Sequence, residues 1–145
     1  MTGAEFVDLA AKLVDGGAAE RRTSISRSYY GAFHAAIEVL AAAGVRLPAS
    51  PEAHQKARFC LLECGELPAI EAGEKLESLR RQRNLADYNL KHPPRETRQN
   101  AVVQLRVARE ILGCLQTCRS ESVWHRARTR IRTYATQVLR LTPVD

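Results

Sequence analysis

No stretch of this chain alternates β-branched and polar residues as a strand requires; Ala, Leu, Arg and Glu dominate instead, as helices prefer. Glycine and proline then cut the chain into segments of helical length. Thr2 is placed to cap a first helix that ends before Gly16-Gly17. Residues 18–43 read as one long helix, closed by Gly44 where a left-handed residue ends a helix. Its stripe of Ile25, Tyr29, Ala32, Phe33, Ala36, Ile37 and Leu40 has the three-four spacing of a buried face. Gly31 inside that helix costs about 1 kcal/mol relative to Ala, which points to a neighbouring helix in close approach.

Further along, residues 47–51 read as a loop, with Ser50 as N-cap and Pro51 at the first position of a third helix that runs to Cys64 and stops at Gly65. A turn at 66–68 precedes a fourth helix over about 69–88. Pro93-Pro94 forces an extended break, and a fifth helix begins near Arg95 and keeps its period through Val103, Val107, Ile111 and Cys114. It either stops at Ser120-Glu121-Ser122 or continues to Arg140; Val123, Trp124, Ile131, Tyr134 and Val138 suggest a further helical stretch. Helices on such short loops predict an all-α fold. The expected form is an up-and-down antiparallel bundle of four to five helices over residues 1–118, with a basic, arginine-rich helical extension over 119–145.

At 145 residues the chain has the length of one domain. A chain of that size buries about two-thirds of its unfolded surface, enough to fold without metal or disulfides. No apolar run approaches the ~18 residues of a membrane span. The first residues carry acids and no basic cluster, so a cytoplasmic protein with no secretory signal and no membrane partner is expected.

The net charge of +6 is unevenly spread. Residues 1–118 hold 16 basic and 14 acidic side chains, whereas 119–145 hold six arginines (119, 126, 128, 130, 132 and 140) against Glu121 and Asp145. Arg80, Arg81 and Arg83 form a second concentration. Two readings stand: a solvated basic face, or a surface for nucleic acid or another polyanion, which the forked guanidinium suits.

The four cysteines fall at i,i+4 spacing, Cys60 with Cys64 and Cys114 with Cys118, among Leu61, Leu62, Ile111, Leu112 and Leu115. They read as small buried hydrophobes. A zinc site across two helices is the alternative, although structural zinc prefers tighter spacing on turns. No metal and no cofactor is expected. Zinc-peptidase spacings, phosphate-cradling glycine loops, dinucleotide fingerprints and nucleophile elbows are all missing.

Chemistry concentrates on the fourth helix, in Leu79-Arg80-Arg81-Gln82-Arg83-Asn84-Leu85-Ala86-Asp87-Tyr88. At 100° per residue Leu76, Leu79 and Ala86 share one face, Arg80, Arg83 and Asp87 form a neighbouring stripe, and Arg81, Asn84 and Tyr88 a third. Arg83 and Asp87 are spaced for a surface pair of a few tenths of a kcal/mol. A functional role needs these groups gathered into a cleft or a dimer seam. On the second helix Tyr29 and Phe33 read as core; His34, and His54 on the third, read as structural histidines.

Three ordered segments together resemble the HEPN superfamily (higher eukaryotes and prokaryotes nucleotide-binding), closest to its small stand-alone bacterial branch. They are Arg27-Ser28-Tyr29-Tyr30-Gly31-Ala32-Phe33-His34-Ala35-Ala36, Ser50-Pro51-Glu52-Ala53-His54, and the fourth-helix run from Leu79 to Tyr88. The resemblance covers about residues 1–118. It implies a four- or five-helix bundle that dimerises through its long helices. Many members are metal-independent ribonucleases of toxin–antitoxin and anti-phage systems, some of them neutralised by a partner nucleotidyltransferase. Their motif is Arg, a polar residue, then His within a few positions. Arginine steadies charge on the transition state and histidine moves the proton of the attacking 2′-hydroxyl.

Carried over residue by residue, Arg83-Asn84 match the start of that motif, and Tyr88 stands in the histidine slot. Phenols as a class are weak bases at neutral pH. The resemblance therefore leaves three outcomes: Tyr88 or Asp87 serves an altered mechanism, His34 or His92 substitutes, or the protein binds without cutting. The candidate catalytic residues are Arg83, Asp87 and Tyr88. Candidates for nucleic-acid binding are Arg80, Arg81, Asn84, Arg126, Arg128 and Arg130. A homodimer that binds RNA or a nucleotide is the first expectation, and a non-catalytic adaptor for a nucleotidyltransferase the second.

Overall fold

Thr2 opens α1 (Gly3–Leu13) with a reciprocal cap: its hydroxyl accepts from the Glu5 amide at 3.3 Å, and the Glu5 carboxylate accepts from the Thr2 amide. α2 (Ala18–Ala42) is closed by Gly44, whose φ of 83° is the left-handed conformation expected there. α3 (Ala53–Leu62), α4 (Leu67–Tyr88), a 3₁₀ turn (Pro93–Glu96), α5 (Arg98–Cys118) and α6 (Glu121–Gln137) follow. The computed structural model describes residues 1–145 and contains six helices and no strand, an all-α bundle. No helix is long and apolar enough to cross a membrane.

α2 is the central rod, packed against α1, α4 and α5, while α3 lies on α4 and α6 on α3 and α5. Ile25, Tyr29, Ala32, Phe33, Ala36 and Leu40 of its apolar stripe are buried, and Ile37 is half-buried. Gly31 does mark a close approach. A Cβ there would fall 2.6 Å from Val7 Cγ2 and 2.7 Å from the Gly3 carbonyl, so α1 crosses α2 backbone to backbone.

Four local expectations shift. α4 takes in Leu67 and Pro68, expected as turn, because proline fits the first turn of a helix, where no amide is needed. Ser50 to Glu52 form a turn, with the Ala53 amide donating to the Ser50 carbonyl at 3.1 Å, so α3 starts later than Pro51. The two prolines do not extend the chain; they open the 3₁₀ turn, whose helical φ suits the proline ring. α5 starts at Arg98 because Thr97 caps it, accepting from the Asn100 amide at 3.2 Å. α5 stops at Cys118, and α6 buries Ala127, Ile131 and Ala135 in the same core as the other helices. The chain end is tied back where the Val144 amide donates to the Gly44 carbonyl at 2.8 Å. Cys60, Cys64 and Cys118 are buried and Cys114 half-buried, all as free thiols within or against the core.

Candidate functional site

Carbonyls of the last turn of α4 and of the segment after it converge on Arg22 of α2; those of Leu85, Asn89 and His92 also accept from backbone amides. Arg22 Nη1 donates to the carbonyls of Leu85 (3.3 Å), Ala86 (2.9 Å) and Asn89 (3.0 Å), and its Nη2 to those of Leu90 (3.3 Å) and His92 (3.1 Å). Nε donates to Glu96 Oε1 at 3.0 Å. This buried clasp fixes the segment that carries Asp87 and Tyr88 against α2.

Within that frame Arg83 gathers its neighbours. Nη2 donates to Tyr30 Oη at 2.6 Å and to Tyr88 Oη at 3.1 Å, and Nη1 donates to Asn84 Oδ1 at 2.9 Å. Nε lies 2.9 Å from Asp87 Oδ2 but is misaligned for a hydrogen bond, so the contact is an ion pair. Asp87 Oδ2 also accepts from Ser26 Oγ at 3.1 Å. The guanidinium centre stands 5.0 Å from the Tyr30 ring centre and 5.1 Å from that of Tyr88, within cation–π range. The Arg83 side chain is only 14% exposed, whereas Tyr88 is 71% exposed and Asn84 is exposed.

Histidines flank the same tyrosine. His34, exposed on α2, has its ring centre 6.4 Å from that of Tyr30; His54 of α3 is 6.2 Å away, edge-on. His54 lies against Phe33, ring centres 4.3 Å apart, and its Nδ1 is hydrogen-bonded to Tyr29 Oη. Burial pushes the Tyr29 phenol well above its ordinary range, so it keeps its proton at neutral pH. Burial holds the His54 pKa below the ordinary 6.5, and the charges of Arg80, Arg83 and His34 push the same way. At neutral pH His54 is therefore an uncharged ring.

Of the sequence candidates, Arg83, Asn84, Asp87 and Tyr88 come together. Arg80 is half-buried, and its charge acts on Tyr29 and His54. Arg81 points away, with its side chain 71% exposed and Nε 3.8 Å from Glu77. The α6 arginines lie elsewhere. Arg126 Nε pairs with Glu66 at 2.7 Å, Arg128 reaches Asp145 at 4.0 Å, and Arg130 covers Gly65. Glu66 and Arg83 sit near opposite ends of α4, roughly 25 Å apart at 1.5 Å per residue. His92 contributes its carbonyl to the Arg22 clasp.

Sequence reasoning missed Arg22, and it missed Arg27 and Tyr30 as members of the site. The signals were present. Arg22 falls in register with Ile25 and Tyr29 on the apolar stripe of α2, a place for arginine only if its charge is met. Arg27, Tyr30 and His34 fall at the three-four spacing of a stripe beside it. The assembled site offers guanidinium groups for phosphate oxygens, aromatic faces for bases and hydroxyl or carboxylate groups for proton traffic. No family model matches the chain, nor does any curated protein or solved structure.

Proposed function

We propose that this chain is a HEPN-type module that binds RNA or a nucleotide as a homodimer in the cytoplasm, in a toxin–antitoxin or anti-phage role. The observation that carries the reading is the convergence on Arg83 of Tyr30, Asn84, Asp87 and Tyr88, an arginine with two phenols and an amide on one half-exposed face. Arg83 and Asn84 contact a phosphate, and Arg80 adds charge behind them. Where cleavage follows, it needs no metal. A base takes the proton of the 2′-hydroxyl, that oxygen attacks phosphorus, and the 5′-oxygen leaves with a proton from an acid, giving a 2′,3′-cyclic phosphate. Asp87 is the carboxylate at hand for the first proton and the Tyr88 phenol the donor for the second.

One observation favours binding without cleavage: Asp87 already neutralises Arg83 at 2.9 Å. A second reading, an adaptor for a protein partner such as a nucleotidyltransferase, draws support from exposed Tyr88 and Leu90, 71% and 72% accessible beside the cluster.

The test is RNA cleavage and RNA binding by the full chain in chelator, for wild type and Arg83→Ala. Cleavage lost in the variant supports a ribonuclease, and binding lost without any cleavage supports a binding module. Absence of both activities from the wild type leaves the adaptor reading standing.

A further inference from the structure

Tyr30 carries a second cation besides Arg83. The Arg27 guanidinium lies 5.1 Å from the Tyr30 ring centre and 5.3 Å from that of Phe6 on α1. Beyond Phe6, the His34 imidazole stacks at 5.3 Å with the planes 18° apart. Tyr88, Arg83, Tyr30, Arg27, Phe6 and His34 thus form one cluster of rings and cations drawn from α4, α2 and α1, with His34 beside both Phe6 and Tyr30.

Its two arginines differ in what satisfies them. Arg83 has a carboxylate, an amide oxygen and two phenols. Arg27 makes no ion pair, has one long hydrogen bond to Ser26 Oγ at 3.4 Å, and keeps a buried Nε with no acceptor. A guanidinium held by ring faces leaves its forked edge free for an anion, and a buried N–H without an acceptor is costly until one arrives. Both guanidinium groups stand about 5 Å from one ring, so they are at most twice that distance apart, within reach of one short strand. His34, beside Phe6 and Tyr30, is exposed, which leaves that side of the cluster open to a base.

We propose that Arg27, Phe6 and His34 form a second subsite beside Arg83 for a further nucleotide of a single-stranded RNA, its phosphate on Arg27 and its base against His34. This rests on the RNA-binding reading above, and it selects a strand over a mononucleotide. Aromatic stacking holds bases of any sequence, so the subsite reads length rather than sequence.

The experiment compares the affinity of the full chain for adenosine 5′-monophosphate and for a single-stranded oligoadenylate of eight nucleotides, in chelator at low salt. The wild type is expected to prefer the octamer by about tenfold or more, the order that one stacked base and one phosphate supply. In Arg27→Gln and in Phe6→Leu that preference falls toward one. In Arg106→Gln, the same charge change at an exposed residue of α5, it stays at the wild-type value. Arg27→Lys keeps the charge without the fork and gives an intermediate ratio if the variants fold alike by thermal unfolding.

A wild-type preference that survives in Arg27→Gln and Phe6→Leu overturns the subsite, as does a wild type that binds both ligands equally. If Arg83→Ala then still loses the octamer, only the subsite has failed. A wild type that binds neither ligand overturns the subsite and the RNA-binding reading together.

Discussion

On α6, Arg126 meets the Glu66 carboxylate at 2.7 Å, and Arg132 donates to the Ala43 and Val144 carbonyls at 2.9 and 3.0 Å and pairs with Asp145. On the face shared by α1, α2 and α4, Arg27 and Arg83 lie against aromatic rings; Arg83 is also paired with Asp87, and Arg27 has no carboxylate at all. The guanidinium is the same in both places; its surroundings decide what remains for a ligand. Carboxylates and carbonyls on α6 consume the donors and fasten the end of the chain to the bundle. Ring faces hold Arg27 by its plane and leave its edge available, whereas Arg83 already spends donors on Asp87, Asn84 and two phenols. A count of arginines along the sequence favours 119–145 as the polyanion surface, whereas the partners of Arg126 and Arg132 leave Arg27 the freer guanidinium; Arg119, 4.6 Å from the Trp124 ring centre, is likewise without a carboxylate.

Arg22 tests how far the comparison reaches, because it belongs to α2 yet spends every donor internally. Arg22→Met should lower unfolding stability by about 3–5 kcal/mol, since it leaves the Ala86 and Leu90 carbonyls and the Glu96 carboxylate without the partner that Arg22 supplies and weakens three further carbonyls. Arg126→Gln removes an exposed ion pair and should barely move the midpoint. Urea titrations of the two variants separate these cases. Similar losses would mean that arginines fasten the two regions equally and that the contrast is only one of exposure.

Salt dependence sharpens the comparison further. Each single-strand phosphate neutralised contributes about 0.7 to the slope of log affinity against log salt. Arg27→Gln should therefore flatten the slope for a single-stranded RNA by about that amount, with Arg126→Gln leaving it near the wild-type value. The reverse pattern would move the phosphate contacts to α6 and restore the reading suggested by charge alone.

What the sequence could disclose follows from the range of the interaction concerned. Thr2, Gly31 and Gly44 act through the local backbone or a single crossing, and each does what its residue type requires. The apolar stripe of α2 is likewise buried. The start of α3 shifts through a local turn, the Ala53 amide donating to the Ser50 carbonyl, whereas the Pro93–Glu96 turn is also held by a partner distant in sequence, Arg22 donating to the His92 carbonyl. The cluster around Arg83 was half legible. Asn84, Asp87 and Tyr88 lie within five residues of it on one helix, whereas Tyr30 reaches it across 53 residues and Phe6 joins only through the crossing of α1 over α2. Rings on three helices leave no mark of their common cluster in a one-dimensional pattern.

The smallest expected effect concerns His54, at the edge of the aromatic face. Burial, with Arg80, Arg83 and His34 nearby, disfavours its imidazolium, so its folded pKa lies below the ordinary 6.5. As pH falls through 6.5 the unfolded chain takes up that proton first, and linkage then lowers stability until the folded form is protonated too. Above that window the group adds no pH dependence. Stability of the wild type should decline between pH 7 and 5, and His54→Gln should flatten the decline. Glu5, Glu52, Glu66 and Glu71, whose carboxyls are held below the ordinary 4.5, act at lower pH. Denaturant midpoints across this range decide the matter. Because burial is the larger cause and the arginines the lesser, Arg83→Gln should soften the decline only slightly, and less than His54→Gln does; a variant as flat as His54→Gln would make charge, not burial, the main cause.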